Sequence, residues 1–185
     1  RPYNLAVDGQ GKFLYISNIV GLATTQVAVY NVSRATLSAP VSMTLQQMQG
    51  EASGTFMIGT SANTSNTDNN LHVMSIDSST GALAEVGTGF PTADTPGLVA
   101  VQPSAGGNLV YSVDFSGTVE GASLNLTTGS LTAVSGSPFI IQGLSAEFDP
   151  AGKYLFVVEG TSLSHSSLFG FDVSASPSLA TPLAS

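Results

Sequence analysis

Residues 149–158 read DPAGKYLFVV, and residues 8–16 read DGQGKFLYI. Each stretch starts with Asp, places Gly three positions on, adds Lys, and enters a strand-like run of aromatic, Leu and aromatic residues. The openings are turns. An Asp side chain bonds the backbone two residues on, Pro150 fixes φ, and Gly11 and Gly152 permit positive φ. The continuations, Phe13-Leu14-Tyr15-Ile16 and Tyr154-Leu155-Phe156-Val157, are apolar at four consecutive positions. A strand with one wet face alternates apolar and polar residues, whereas an unbroken run suits a strand covered on both faces.

Working outward from this pair reveals a repeat. A Gly precedes a strand-forming run at Gly11 (GKFLYIS), Gly54 (GTFMIGT), Gly107 (GNLVYSV) and Gly152 (GKYLFVV). A second anchor is a strand, a turn and a Leu: VAVYNVSRATL, LHVMSIDSSTGAL, VEGASLNLTTGSL and LFGFDVSASPSL. These end at Leu37, Leu83, Leu131 and Leu179, 46, 48 and 48 residues apart. Two independent anchors with one period define four units. Each unit reads as four short strands. In the first they are Asn4–Val7, Lys12–Asn18, Gln26–Val32 and Leu37–Met43; in the third, Gly97–Val101, Asn108–Asp114, Thr118–Leu124 and Leu131–Val134. No amphipathic helix is visible.

A four-stranded sheet cannot cover both of its apolar faces by itself. Stacking successive sheets around an axis covers them, and that is the logic of a β-propeller. The expected fold is therefore all-β, a propeller of four-stranded antiparallel blades, with four blades in this chain. The blades fall at about 1–43, 44–95, 96–139 and 140–185, in a single region spanning 1–185.

Composition narrows the partners. Only 9% of the 185 residues are charged, against roughly 25% in ordinary globular proteins. Twelve acidic residues face four basic ones, a net charge of −8. Arg1, Lys12, Arg34 and Lys153 are too few and too scattered for a nucleic-acid surface. With no cysteine, disulfides, thiolate metal sites and a Cys nucleophile are excluded. No apolar run approaches the length of a membrane-spanning helix. The Ser/Thr/Asn-rich, Lys-poor composition is that of secreted proteins, so an extracellular or cell-surface location is expected, with the periplasm as the alternative. Arg1 in place of an initiator Met fits a processed protein or a fragment.

The repeats resemble those of lactonase-like, YVTN-type β-propellers. The resemblance rests on Leu14-Tyr15-Ile16-Ser17-Asn18, on Phe148 to Val157, and on Leu126 to Thr132 with the trailing Gly136-Ser137-Pro138-Phe139. It covers nearly the whole chain, through motifs that build turns and strands. That group includes 6-phosphogluconolactonases and many surface proteins without established activity, so it implies a fold more than a reaction. Such rings usually hold about seven blades. Four blades leave three arrangements: half of a longer chain, two copies closing one ring, or an open array. An uncovered terminal blade would expose a large apolar face.

Candidate chemistry is sparse. His72 reads as a packed strand residue, and His165 as part of a loop over Ser162–Ser167. A Ser beside a His in sequence is no catalytic arrangement, because the base must meet the hydroxyl in space. Gly87-Thr88-Gly89 reads as a turn, not a phosphate loop. Two histidines do not make a His-based metal site, so no metal or cofactor is expected. Among the carboxylates Glu147 is the candidate, on a first strand facing the axial channel. It reads either as a general acid or base or cation ligand, or as a solvated strand end. Glu51 and Asp8 occupy related turn positions; Asp8 and Asp149 read as turn formers. Sequons begin at Asn31, Asn63 and Asn125. The expected function is a non-enzymatic secreted or surface module for binding or assembly, its alternative a lactone hydrolase. Expected partners are further copies or missing blades, and a small molecule or protein at the channel or loops.

Overall fold

The computed structural model describes residues 2–19, 25–39, 41–42, 45–61, 68–104, 106–114, 116–162, 165–174, 176–179 and 181–183. They form four antiparallel sheets in chain order. The first holds β1 (Pro2–Val7), β2 (Phe13–Ile19), β3 (Thr25–Asn31) and an outer strand in two pieces, β4 (Thr36–Leu37) and β5 (Val41–Ser42). The second holds β6 (Gln47–Gly50), β7 (Phe56–Thr60), β8 (Asn70–Ile76), β9 (Leu83–Glu85) and β10 (Phe90–Pro91). The third holds β11 (Pro96–Val101), β12 (Leu109–Asp114), β13 (Thr118–Leu124), β14 (Leu131–Ala133) and β15 (Phe139–Ile140). The fourth holds β16 (Gly143–Phe148), β17 (Tyr154–Ser162) and β18 (His165–Asp172).

Three readings need correction. The outer strand is split rather than continuous: β4 and β5 stand in place of Leu37–Met43, and in the second and third sheets Gly87, Gly89 and Gly136, all with positive φ, lie between the two pieces. The fourth sheet has three strands among the described residues; its outer position is marked by one bond, from Leu183 N to Gly170 O. His165 opens β18, paired with Ser162, instead of lying in a loop.

The turns recur with one mechanism. Between the first two strands of each sheet, one side-chain oxygen accepts the N–H that opens the second strand. Asp8 serves Phe13 at 2.7 Å, Glu51 serves Phe56 at 3.1 Å, Gln102 serves Leu109 at 3.2 Å, and Asp149 serves Tyr154 at 2.6 Å. Between the third and fourth strands, Asn31, Asp77, Asn125 and Asp172 cap the turn in the same way. Each capping bond satisfies an N–H that the strand ladder leaves over.

The core is three layers, each between consecutive sheets. Phe13, Tyr15 and Val27 of the first sheet meet Met48, Met57 and Met74 of the second. Phe56, Ile58 and Leu71 of the second meet Val101, Val110 and Leu124 of the third. Tyr111, Val113 and Val119 of the third meet Phe148, Leu155 and Phe171 of the fourth. Gly81 shows how tight the layers are. A Cβ there would stand 2.5 Å from the Phe13 ring, and its φ of +76 already favours Gly. Among the described residues no apolar cluster joins the fourth sheet to the first.

Candidate functional site: the axial cavity

The first strands β1, β6, β11 and β16 surround a common cavity of about 430 Å³, within the usual size range of small-molecule sites. Its wall holds Asn4, Gln47, Gln49, Ser145 and Glu147 among aliphatic residues and strand edges. An amide network orders the wall. Asn4 Nδ2 donates to Gln47 Oε1 at 3.0 Å, and Met48 N donates to Asn4 Oδ1 at 3.2 Å. Gln49 Oε1 accepts Val101 N at 2.8 Å, tying the second sheet to the third.

A second cavity, about 390 Å³, opens at the end carrying the β12–β13 hairpin. β1, β11 and β16 each carry a bulge at matching places, so that Tyr3, Gly97 and Leu144 enter this mouth. Asp114 also lines it. Its Oδ1 accepts Thr118 N and the Ser116 hydroxyl, while Oδ2 is buried without a partner.

Glu147 lies on β16 and lines the axial cavity, exposed, with neither Arg34 nor a histidine among the described lining residues. Arg34 belongs to the exposed β3–β4 turn. Glu51 is a turn former: its carboxylate takes Ser53 N, Thr55 N, Phe56 N and the Ser53 hydroxyl. Burial pushes its pKa up, but those hydrogen bonds outweigh burial and hold it below the usual range. Asp8 and Asp149 are turn formers likewise. His72 is buried in the second sheet, Nδ1 2.6 Å from Glu85 Oε1 and Nε2 2.9 Å from Asp68 Oδ2. Through these two contacts His72 stitches a loop and an outer strand onto β8. Asn31 and Asn125 use Oδ1 for turn capping, and the sequon at Asn63 lies outside the described residues, as do the other residues of 62–67.

Sequence reading missed Glu120. It is buried between the second and third sheets, with Oε1 accepting Ala93 N at 2.7 Å and Oε2 unpartnered. Burial, reinforced by the Asp114 charge, pushes its carboxyl above the usual range. The signal was a Glu facing Ser112 across a β12–β13 pair otherwise apolar on that face. Among the described residues no three His, Asp or Glu side chains form a metal-binding group.

No protein-family model matches the sequence, and no curated protein matches it. Solved structures do match in fold. Sqt1 of Chaetomium thermophilum, bound to the N-terminus of ribosomal protein L10, superposes with a TM-score of 0.69 at 15% identity, over 97% of this chain and 48% of its own. A candidate 6-phosphogluconolactonase of Bacteroides uniformis gives 0.67 at 15% identity, over 98% and 55%. TolB of Acinetobacter baumannii gives 0.55 at 14% identity, over 94% and 41%. The fold is a β-propeller. At these identities the likeness shows architecture alone, and the chain spans about half the length of the propellers it matches.

Proposed function

We propose that this propeller segment is a binding module of the lactonase-like, YVTN-type group, with no catalytic chemistry of its own, working outside the cytoplasm. The observation that supports it best is the axial wall. Amides, a hydroxyl, aliphatic groups and strand edges line it, and Glu147 is its one ionisable residue among those described. Such a wall offers paired donors and acceptors to a small neutral molecule rich in hydroxyl or amide groups. It offers no oriented base and no cation.

The competing reading is a lactone hydrolase. A phosphorylated sugar lactone needs cationic groups to hold its phosphate, and Lys12, Arg34 and Lys153 are not part of the cavity's described lining. The deciding experiment measures sugar-lactone hydrolysis by the wild-type chain and by Glu147→Gln. The expected result is no rate above buffer for either. Hydrolysis that disappears in Glu147→Gln would overturn the binding reading. Calorimetric titration with neutral sugars supplies the positive arm: saturable heat is expected, and Asn4→Ala should diminish it.

A further inference from the structure

Aligned by register, the four sheets share equivalent positions. Ala6, Gln49, Ala100 and Glu147 correspond on the first strands; Tyr15, Ile58, Tyr111 and Phe156 stand opposite them on the second. The ties between sheets alternate along these positions. From the first sheet to the second, Tyr15 donates its hydroxyl hydrogen to Gly81 O at 3.0 Å, and Gln10 Nε2 donates to Ser53 O at 2.7 Å. From the third to the fourth, Tyr111 donates to Pro177 O, at the place corresponding to Gly81, and Gln102 Nε2 donates to Gly152 O. From the second to the third the tie is different. Ile58 replaces Tyr, and Gln49 accepts Val101 N.

The fourth sheet repeats the second. Phe156 replaces Tyr, and Glu147 stands where Gln49 stands, an acceptor without a donor. Leu168 matches Leu71, yet Leu71 is 1% exposed and Leu168 is 62% exposed. The first sheet repeats the third on the opposite side. Val7 matches Val101, and they are 51% and 2% exposed. Leu5 and Leu14 match Val99 and Val110. The end faces are thus the two halves of a second-to-third interface, held apart at opposite ends of one chain.

We propose that a second copy of this chain occupies them. The fourth sheet of each copy takes the first sheet of the other, and Glu147 accepts the partner copy's Val7 N–H as Gln49 accepts Val101 N–H. Two such head-to-tail contacts close a ring of eight blades, four from each copy. Two observations support this occupant. The contact continues an interface already present in the chain, and the two-sheet alternation places a first-type sheet after the fourth.

The test is the mass of the purified chain in solution at micromolar to high micromolar concentration, by light scattering and native mass spectrometry. Twice 18.8 kDa is expected. Leu168→Glu and Leu5→Glu should each give monomers with unchanged far-ultraviolet circular dichroism, since both side chains are exposed within one copy. Mixing the two variants should restore a dimer through the one intact pair of faces. Glu147→Gln should pair normally, and Glu147→Ala should pair at least about a hundredfold more weakly, since one hydrogen bond to a charged group is lost at each of the two contacts. A monomeric wild type, an open series of larger species, or a Leu168→Glu variant that still dimerises overturns the proposal. A variant with altered circular dichroism is replaced by Leu168→Ser or Leu5→Ser, for which loss of the dimer is again expected and its retention again overturns.

Discussion

Leu155 and Leu168 belong to one sheet and lie on its two faces. Leu155 is buried in the layer that also holds the Tyr111 and Phe148 rings, whose centroids are 5.8 Å apart, whereas Leu168 faces solvent. Both are Leu on strands of the same hairpin, so local propensity does not separate them. The neighbour does. A propeller sheet contributes two apolar faces, and each becomes core only when another sheet arrives.

The largest expected effect comes from the covered face. Leu155→Ala should cost about 2–5 kcal/mol in urea unfolding, by lost transfer energy and the cavity left behind. Leu168→Ala, measured on a monomeric Leu5→Glu background, should cost no more than about 0.5 kcal/mol. Equal costs would break the comparison.

The turns sharpen it next. Gly81 meets the Phe13 ring of the preceding sheet; Ala35, at the corresponding place of the first sheet, is exposed with φ of 49. Gly81→Ala should cost about 2–4 kcal/mol, from left-handed backbone strain and overpacking together. Ala35→Gly should be neutral or stabilising by up to about 1 kcal/mol, relief of strain being partly offset by chain entropy. Thermal melts of both variants decide.

A smaller effect is expected at the tyrosine ties. Tyr15→Phe removes a donor from the buried Gly81 carbonyl contact and should cost about 1 kcal/mol. The corresponding Phe156→Tyr should change little in a monomer, as thermal melts on the Leu5→Glu background would show.

Two buried glutamates test the sign of the electrostatics. Glu51 sits below the usual carboxylate range, so its stabilising contribution is present at neutral pH and is lost as pH falls through its folded-state value. Glu120 sits above that range, so its contribution is favourable at low pH and is lost as pH rises through its folded-state value. Stability curves from pH 3 to 8 should therefore change in opposite senses for Glu51→Gln and Glu120→Gln. Relative to wild type, Glu51→Gln loses most at neutral pH, and Glu120→Gln gains most there. A common sign for both sinks this assignment.

The sequence carried the architecture because the fold repeats it. Gly11, Gly54, Gly107 and Gly152 sit at turns, and Asp8 and Asp149 advertise the hairpins through local bonds that span at most five residues. The kinked outer strands were less legible: Leu37–Met43 reads as one strand until the conformation between its halves is seen. The site was legible in part. Glu147 falls on the axial wall, but Gln49, Tyr15 and Tyr111 act on partners 52 to 66 residues away. Their roles emerge only when the repeats are aligned by pairing register, which places Gln49 and Glu147 at one position. Glu120 stayed hidden because its environment comes from another sheet's loop at Ala93.

The broken outer strands have a consequence for solubility. The first three sheets end at the rim in two fragments of two or three residues, with kinks at Gly87 and Gly89 in the second sheet and Gly136 in the third, and with Pro91 in one fragment. A long flat rim would offer free N–H and C=O groups to strands of any passing chain, the route to amyloid-like growth. These fragments are too short and too bent to template such addition. Recruitment through main-chain pairing is thus disfavoured at the rims of the first three sheets, and side-chain fit on the end blades is left to select what they join.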